Sequence, residues 1–133
     1  MPRYLLDTNI VSDLIKNPQG PISTKIAQVG ESEIATSIIV AAELRFGAIK
    51  RGSVGLTEQV EAVLGAINIL PLQPPVDQYY GQIRVELEAQ GLIIGSNDLF
   101  IAAHAMSLSA ILVTGNVDEF ARVHGLMVEN WLG

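Results

Sequence analysis

Short, nearly continuous apolar runs alternate along this chain with longer segments in which apolar residues recur every three or four positions. The first run, Tyr4–Leu6, leads directly into Ile10, Leu14 and Ile15, which share one helical face. Strands that are apolar throughout are buried on both faces, and they are typical of a parallel sheet whose connections are helices. The sequence therefore predicts an α/β fold with a central parallel sheet.

Proline residues and a helix-capping serine indicate where these elements begin and end. Pro18 ends the first helix, Ser37 is placed to cap the third, and Pro74 and Pro75 interrupt the chain before the fifth. We expect strands at residues 4–6, 33–37, 67–72, 111–113 and 127–129. We expect helices after residues 7–9, at residues 22–29, 38–50, 54–66 and 76–90, from Asn97, and at residues 118–123. No repeat or linker divides the pattern, so we expect a single domain over residues 1–133.

Composition excludes several classes of protein. Hydrophobic residues make up 49% of the chain and charged residues 17%, which excludes intrinsic disorder and leaves enough apolar material for a core. The absence of cysteine excludes thiolate metal sites and thiol nucleophiles, and it suits a reducing compartment. The net charge of −6 is opposite to that of a typical nucleic-acid binder, so any nucleic acid must be held locally.

The apolar runs are also too short to suggest a membrane or an export signal. Asp7 interrupts the first run before a signal-peptide core could form. The longest nearly apolar run, residues 99–113, contains His104 and falls short of the ~18 residues that a membrane helix needs. We therefore expect a cytoplasmic protein without membrane contacts.

Two acids follow predicted strands. Asp7 comes directly after the first strand, and Asp118 lies on the loop beyond residues 111–113. In an open parallel sheet, ligands bind beyond the carboxyl ends of the strands, so both acids face one crevice if these two strands are neighbours. The alternative role for Asp7 is to cap the helix that follows it.

Glu43 and Asp98 both lie where a carboxylate needs a partner. Glu43 falls within an apolar stripe of its predicted helix, and a buried, unpaired carboxylate costs several kcal/mol, as a rough figure. Neither Arg45 nor Lys50 has the helical spacing to pair with it, which favours a metal or a distant partner over a local ion pair. Asp98 heads the next apolar stripe, where the alternative is an acid that favours the first turn of a helix.

Taken together, these four acids suggest a cation site. Asp7, Glu43, Asp98 and Asp118 lie at element ends or on buried faces without compensating basic neighbours. By contrast, the following acids have the pattern of solvated helix charges: Glu58, Glu61, Glu86 and Glu88. An all-carboxylate set suits a hard cation, so the sequence predicts a Mg²⁺ or Mn²⁺ site.

Other catalytic patterns are missing. His104 and His124 stand alone, without the serine and acid that would form a triad, and we expect structural roles for both. The chain contains neither GxxxxGK[ST] nor GxGxxG, which argues against nucleotide-loop enzymes. A phosphatase or phosphoacceptor module would need a lysine near the end of the sheet, and no lysine follows Lys50.

Five strings in order carry a family resemblance over nearly the whole chain. They are residues 5–10 (LLDTNI), 42–47 (AELRFG), 83–87 (IRVEL), 95–105 (GSNDLFIAAHA) and 112–116 (LVTGN). Each string is weak alone, but together and in this order they are specific. The chain resembles the PIN-domain ribonucleases, and in particular the VapC-type toxins of bacterial toxin–antitoxin pairs.

The resemblance implies a fold, a reaction and a site. The fold would be a three-layer α/β/α arrangement in a single PIN domain over residues 1–133, and the activity would be that of a Mg²⁺- or Mn²⁺-dependent endoribonuclease. Asp7, Glu43 and Asp98 would be the metal-binding acids. Asn116, with Asp118 or Glu119, would complete the pocket.

The resemblance also implies partners. The substrate would be structured RNA such as a transfer RNA loop, and we expect its phosphates to contact Arg45 and Arg84, for which an ordinary solvated charge is the alternative. We expect a homodimer that a cognate antitoxin inhibits by inserting a basic residue among the acids, with operator DNA bound only through that antitoxin. The rival hypothesis is a catalytically inactive interaction module with the same fold, and the intact acids Asp7, Glu43 and Asp98 count against it.

Overall fold

The fold is built on a parallel β-sheet, as the sequence predicts. The computed structural model describes residues 1–132, and within them the sheet has five strands in the order β3-β2-β1-β4-β5, with every neighbouring pair parallel. The strands are β1 (Tyr4–Leu6), β2 (Ile34–Ser37), β3 (Ile69–Leu70), β4 (Ile111–Val113) and β5 (Val128–Glu129). β1 and β4 are therefore neighbours, which is the condition for Asp7 and the loop after residue 113 to share one crevice.

Helices connect the strands. They are α1 (Thr8–Lys16), α2 (Pro21–Val29), α3 (Ile38–Arg51), α4 (Val54–Ala66), α5 (Val76–Ala89), α6 (Ser96–Ser107) and α7 (Val117–Phe120), with a 3-10 turn at Glu31–Glu33. All seven were expected, with ends that differ by at most a few residues. The expected strand at residues 67–72 is shorter in the structure, where β3 covers Ile69–Leu70; it ends before Pro71, which has no N–H to donate to the ladder.

Both faces of the sheet are covered. Successive side chains of a strand point to opposite faces, yet Tyr4, Leu5 and Leu6 are all buried, as is every residue of β2. The sheet therefore lies between two helical layers, which confirms the three-layer α/β/α arrangement. No helix in the described part of the chain combines the length and the apolar character needed to cross a bilayer.

Local capping fixes where α3 begins and ends. The Ser37 hydroxyl accepts a hydrogen bond of 3.1 Å from the Ile39 amide, so the last residue of β2 is also the cap of α3. At the other end, Gly52 adopts the left-handed conformation (φ 69°), and its amide donates to the carbonyls of Ala48 and Ile49. These caps set the start and the length of the helix that carries Glu43.

Candidate active site

Asp7 lies at the junction of β1 and α1 and is only 2% exposed. Its amide donates to the Val113 carbonyl (2.9 Å), which continues the pairing of β1 with β4 by one residue. Its Oδ1 accepts from the Thr8 amide (2.8 Å), and its Oδ2 accepts from the Thr114 hydroxyl (2.7 Å). Asp7 therefore does cap α1, and the same carboxylate also contacts the loop after β4.

Asn9 and Thr114 complete a polar network around Asp7 that the sequence interpretation did not include. The Asn9 amide nitrogen lies 3.4 Å from both Asp7 Oδ2 and Thr114 Oγ1. The Asn9 side-chain oxygen accepts from the Gly115 amide (2.8 Å), and Thr114 Oγ1 accepts from the Asn116 amide (3.0 Å). The only sequence signal for this network was the pair of short polar segments that follow β1 and β4.

Glu43 reaches the same region from α3. Its Oε1 accepts a 2.6 Å hydrogen bond from the Thr8 hydroxyl, so Thr8 contacts Asp7 through its backbone and Glu43 through its side chain. The expected distant partner is therefore Thr8, 35 residues away in sequence.

The surroundings of Glu43 differ from the expected apolar stripe. Glu43 is half-buried, and Phe46, one turn later, is 65% exposed. The expectation of a stripe on both sides of Glu43 is wrong at Phe46. The buried face of α3 consists of Val40, Ala41 and Ala48, and Glu43 lies beside it.

Asp98 lies in the first turn of α6 and has the most strongly shifted pKa of the site. Burial, and then the negative charges of Glu119, Asp7 and Glu43, raise its pKa to about 7, with a hydrogen bond to Glu119 adding to the shift. Burial likewise raises the pKa of Asp7, against the hydrogen bonds from Thr114 and Thr8, which lower it. The four acids therefore act on one another, and we call Asp7, Glu43, Asp98 and Glu119 the acidic site.

The structure also places the three candidates for the remaining pocket position. Glu119 is half-buried on α7 and acts electrostatically on both Asp7 and Asp98. Asp118 and Asn116 are exposed, and they line a shallow surface cavity that Glu119 also lines. Of these three residues, Glu119 is the one that joins the acids.

Arg45 and Arg84, the expected phosphate contacts, are held by acids on the helix surface. The Arg45 guanidinium forms two hydrogen bonds of 3.0 Å to Glu61, and Arg84 donates to Glu88 (3.0 Å) and to the Tyr80 hydroxyl (3.1 Å). Both arginines are exposed. An RNA phosphate at either position would have to compete with a carboxylate.

The two histidines lie apart from the acidic site. His104 is buried on α6, and its Nδ1 lies 2.9 Å from the Ser37 hydroxyl that caps α3. Burial lowers the pKa of His104, which favours its neutral form. His124 is exposed in the turn after α7. The buried contact with Ser37 supports the structural role expected for His104, and the role of His124 stays a prediction.

The donor set of the acidic site is chemically suited to a hard divalent cation. Among residues 1–132, no Lys, Arg or His nitrogen lies within 4.0 Å of any of its four carboxylates. Uncompensated negative charge and oxygen-only donors are what Mg²⁺ and Mn²⁺ require. As they stand, no three Asp, Glu or His side chains of the described chain are grouped closely enough to ligate one ion. It is the donor type and the uncompensated charge of these residues, and not their present grouping, that fit the cation.

The α/β/α fold and the acids beyond the carboxyl ends of β1 and β4 together indicate the class to which the chain belongs. The PIN domain family matches residues 4–126, which is most of the chain. The chain therefore belongs to the PIN-domain family.

Full-length relatives narrow this class. The chain is 40% identical over 130 residues to "Ribonuclease VapC2" of Rickettsia felis, covering 96% of this chain and 97% of the relative. It is 35% identical to "tRNA(fMet)-specific endonuclease VapC" of Shigella flexneri, covering 98% and 99%. The crystal structure of VapBC2 from Rickettsia felis bound to a promoter DNA fragment superposes with a TM-score of 0.88 at 38% identity, covering 96% of this chain and 98% of that one. The expected identity, a VapC-type ribonuclease of the hydrolase class, is confirmed, and the inactive interaction module is not favoured.

Proposed function

We propose that the chain is a divalent-metal-dependent endoribonuclease toxin that cuts phosphodiester bonds in structured RNA and is neutralised by a cognate antitoxin in the cytoplasm. The observation that supports this most strongly is the acidic site, where the negative charges of Glu43 and Glu119 contribute to the raised pKa of Asp7 and of Asp98, and no Lys, Arg or His nitrogen of the described chain lies within 4.0 Å of the four carboxylates. Such a charge surplus is costly unless a cation offsets it. A bound divalent cation would offset this negative charge.

Each acid has a distinct place in this proposal. Asp7, Glu43 and Asp98 hold the Mg²⁺ or Mn²⁺, and Glu119 completes the pocket, with Asn116 and Asp118 bordering it. When bound, the cation activates water and neutralises charge that develops on the scissile phosphate. Thr8 orients Asp7 and Glu43 together, because it donates to both carboxylates.

Water, rather than the 2′-hydroxyl of the RNA, is the proposed nucleophile. Attack by the 2′-hydroxyl typically uses a histidine-type acid and base, and His104 is buried against Ser37 while His124 lies exposed in a turn. Cleavage would then leave a 5′-phosphate and a 3′-hydroxyl. A substrate with one 2′-deoxy sugar at the cleaved position would still be cut.

Two observations support the proposed substrate and partner. The Shigella relative is named for the transfer RNA that it cuts, which supports transfer RNA as the substrate here. The Rickettsia structure is a VapBC2 complex on promoter DNA, which supports an antitoxin partner and contact with DNA only through it. We propose that an Arg or Lys of the antitoxin occupies the acidic site in place of the cation, and that the chain forms a homodimer.

The test is cleavage of transfer RNA by the purified chain without antitoxin. We expect cutting with Mg²⁺ or Mn²⁺, no cutting in excess chelator, recovery on adding the metal back, and 5′-phosphate products. Full activity in chelator, or products that end in a cyclic phosphate, would contradict the proposed chemistry.

A further inference from the structure

Arg122 makes an unusual contact for an exposed arginine. It lies just after α7, and its Nη1 donates a 2.8 Å hydrogen bond to the backbone carbonyl of Ile93, 29 residues earlier. The chain's other hydrogen-bonded arginine side chains, Arg3, Arg45 and Arg84, each lie within 4.0 Å of a carboxylate in the part of the chain that the structure describes. Arg122 forms no such ion pair within the described residues, and a backbone carbonyl is its acceptor instead.

The two ends of this contact lie close in sequence to two acids. Ile93 belongs to the segment that leads into α6, five residues before Asp98, and the Gly95 carbonyl in that segment accepts from the Leu99 amide (2.9 Å). On the other side, the Arg122 amide donates to the Glu119 carbonyl (3.2 Å), and the Arg122 side chain shares the surface cavity that Glu119 lines. The side chain therefore bridges the segments that carry Asp98 and Glu119.

Asp98 and Glu119 lie on different helices, α6 and α7, so the distance between them depends on how these two helices are held relative to one another. The contact from Arg122 to the Ile93 carbonyl joins the segment after α7 to the segment before α6. A hydrogen bond from a charged donor to a carbonyl is stronger than a neutral one, and it suits this task.

We propose that Arg122 is a positioning residue, which fastens the segment before α6 to α7 and so limits how far Asp98 and Glu119 can separate when the acidic site binds a divalent cation. This inference rests on the proposed function of the acidic site. Arg122 acts through the two acids and does not itself hold the cation. Direct contact between Arg122 and an RNA phosphate is the competing role, and the two roles predict different results.

Whether loss of the Arg122 side chain raises or lowers the metal affinity distinguishes a positioning role from a purely electrostatic one. Removing the positive charge of Arg122, which lines the same cavity as Glu119, should strengthen cation binding if charge alone matters. Loss of a positioning residue should weaken it, by about 10- to 100-fold if Arg122 resembles other outer-shell partners of metal ligands. Arg122→Lys keeps both the charge and an N–H donor, so it should recover most of the affinity.

The experiment is a titration of the metal-free chain with Mn²⁺, following free Mn²⁺ by electron paramagnetic resonance, for the wild type, Arg122→Ala and Arg122→Lys. Arg51→Ala is the matched control, because Arg51 is an exposed arginine at the end of α3. We expect weaker binding only in Arg122→Ala, and a fall in kcat for RNA cleavage with little change in KM. Thermal unfolding of each variant checks that the fold is intact.

Three results would overturn the inference: Mn²⁺ binding by Arg122→Ala that is unchanged or tighter, an Arg122→Lys variant as weak as Arg122→Ala, or a defect confined to KM. The last result would assign Arg122 to RNA phosphate contact. A wild-type chain that fails to bind Mn²⁺ would instead overturn the proposed function itself, so the two failures are distinguishable.

Discussion

The Thr114 hydroxyl donates a 2.7 Å hydrogen bond to Asp7 Oδ2, although the two residues are 107 positions apart in sequence. Both residues are buried, and the same hydroxyl oxygen accepts from the Asn116 amide. The contact exists because β1 and β4 pair in parallel and end together, with Leu6 opposite Val113. The sheet register therefore determines how Asp7 is held.

Thr114→Val should destabilise the protein through this contact. Valine keeps the shape but removes the hydroxyl, which leaves Asp7 Oδ2 with only the longer contact to Asn9 and the Asn116 amide without its acceptor, at a cost of about 1–3 kcal/mol. The pKa of Asp7 should rise further, because the Thr114 hydrogen bond lowers it. Urea unfolding measures the cost. Thr24→Val is the control, because the Thr24 hydroxyl donates to the Gly20 carbonyl at an exposed position. An equal loss of unfolding free energy in both variants would contradict the role of Thr114.

Asp98 should make the stability of the metal-free protein depend on pH. Its pKa is about 7 in the folded state against an ordinary value of 3.8, so the folded state holds the proton more tightly. The stability that this gives is fully present below pH 3.8 and is lost as the pH rises towards 7. The negative charges that face it are those of Glu119, Asp7 and Glu43.

Asp98→Asn removes this titration. The unfolding free energy of the variant should therefore improve relative to the wild type as the pH rises from 4 to 7, over the interval between the two pKa values. Denaturant unfolding at several pH values measures the difference. Asp77→Asn, in the first turn of α5, is the control, because it removes one carboxylate and leaves Asp98 in place. A wild-type-to-variant difference that stays constant with pH would contradict the raised pKa of Asp98.

The order of the strands and helices could be predicted from sequence, because the apolar pattern of each element is contained within a short stretch of the chain. Tyr4–Leu6 and Ile111–Val113 are apolar throughout and directly precede polar loops, so both the strands and the position of Asp7 followed from local patterns. The surroundings of Glu43 did not follow, because periodicity cannot say how far a helix face stays covered. Phe46 continues the stripe in sequence but is exposed in the structure.

The connections within the site depended on tertiary contacts that no local pattern encodes. Thr8, Asn9 and Thr114 hold the acids through hydrogen bonds whose partners are up to 107 positions away. Glu119 and Asp118 are adjacent and chemically alike, so the choice between them depends on which one α7 turns towards Asp98. The Arg122 contact could not be predicted either, because its acceptor is the backbone carbonyl of Ile93, and every residue type has such a carbonyl.

Ser37→Ala should cost more stability than an ordinary helix cap. Ser37 caps α3 and also lies 2.9 Å from the buried Nδ1 of His104, whereas Ser53 caps α4 through Leu56 alone. Loss of either cap costs typically about 1 kcal/mol. Ser37→Ala should exceed Ser53→Ala by roughly another 1 kcal/mol, because it also removes the partner of a buried ring nitrogen. Equal costs in urea unfolding would show that the His104 contact contributes nothing.

The most direct test of the acidic site compares RNA cleavage by Asp98→Asn and Asp77→Asn under saturating Mg²⁺. Both changes remove one charge at nearly constant volume from the first turn of a helix, so effects on helix stability are matched. We predict that the cleavage rate of Asp98→Asn falls by more than the roughly 100-fold that is typical when an outer-shell partner of a metal ligand is lost. Asp77→Asn should cleave RNA at the wild-type rate. Asp7→Asn should behave like Asp98→Asn. Wild-type cleavage rates in both Asp7→Asn and Asp98→Asn would contradict the assignment of these carboxylates to a metal-dependent nuclease site.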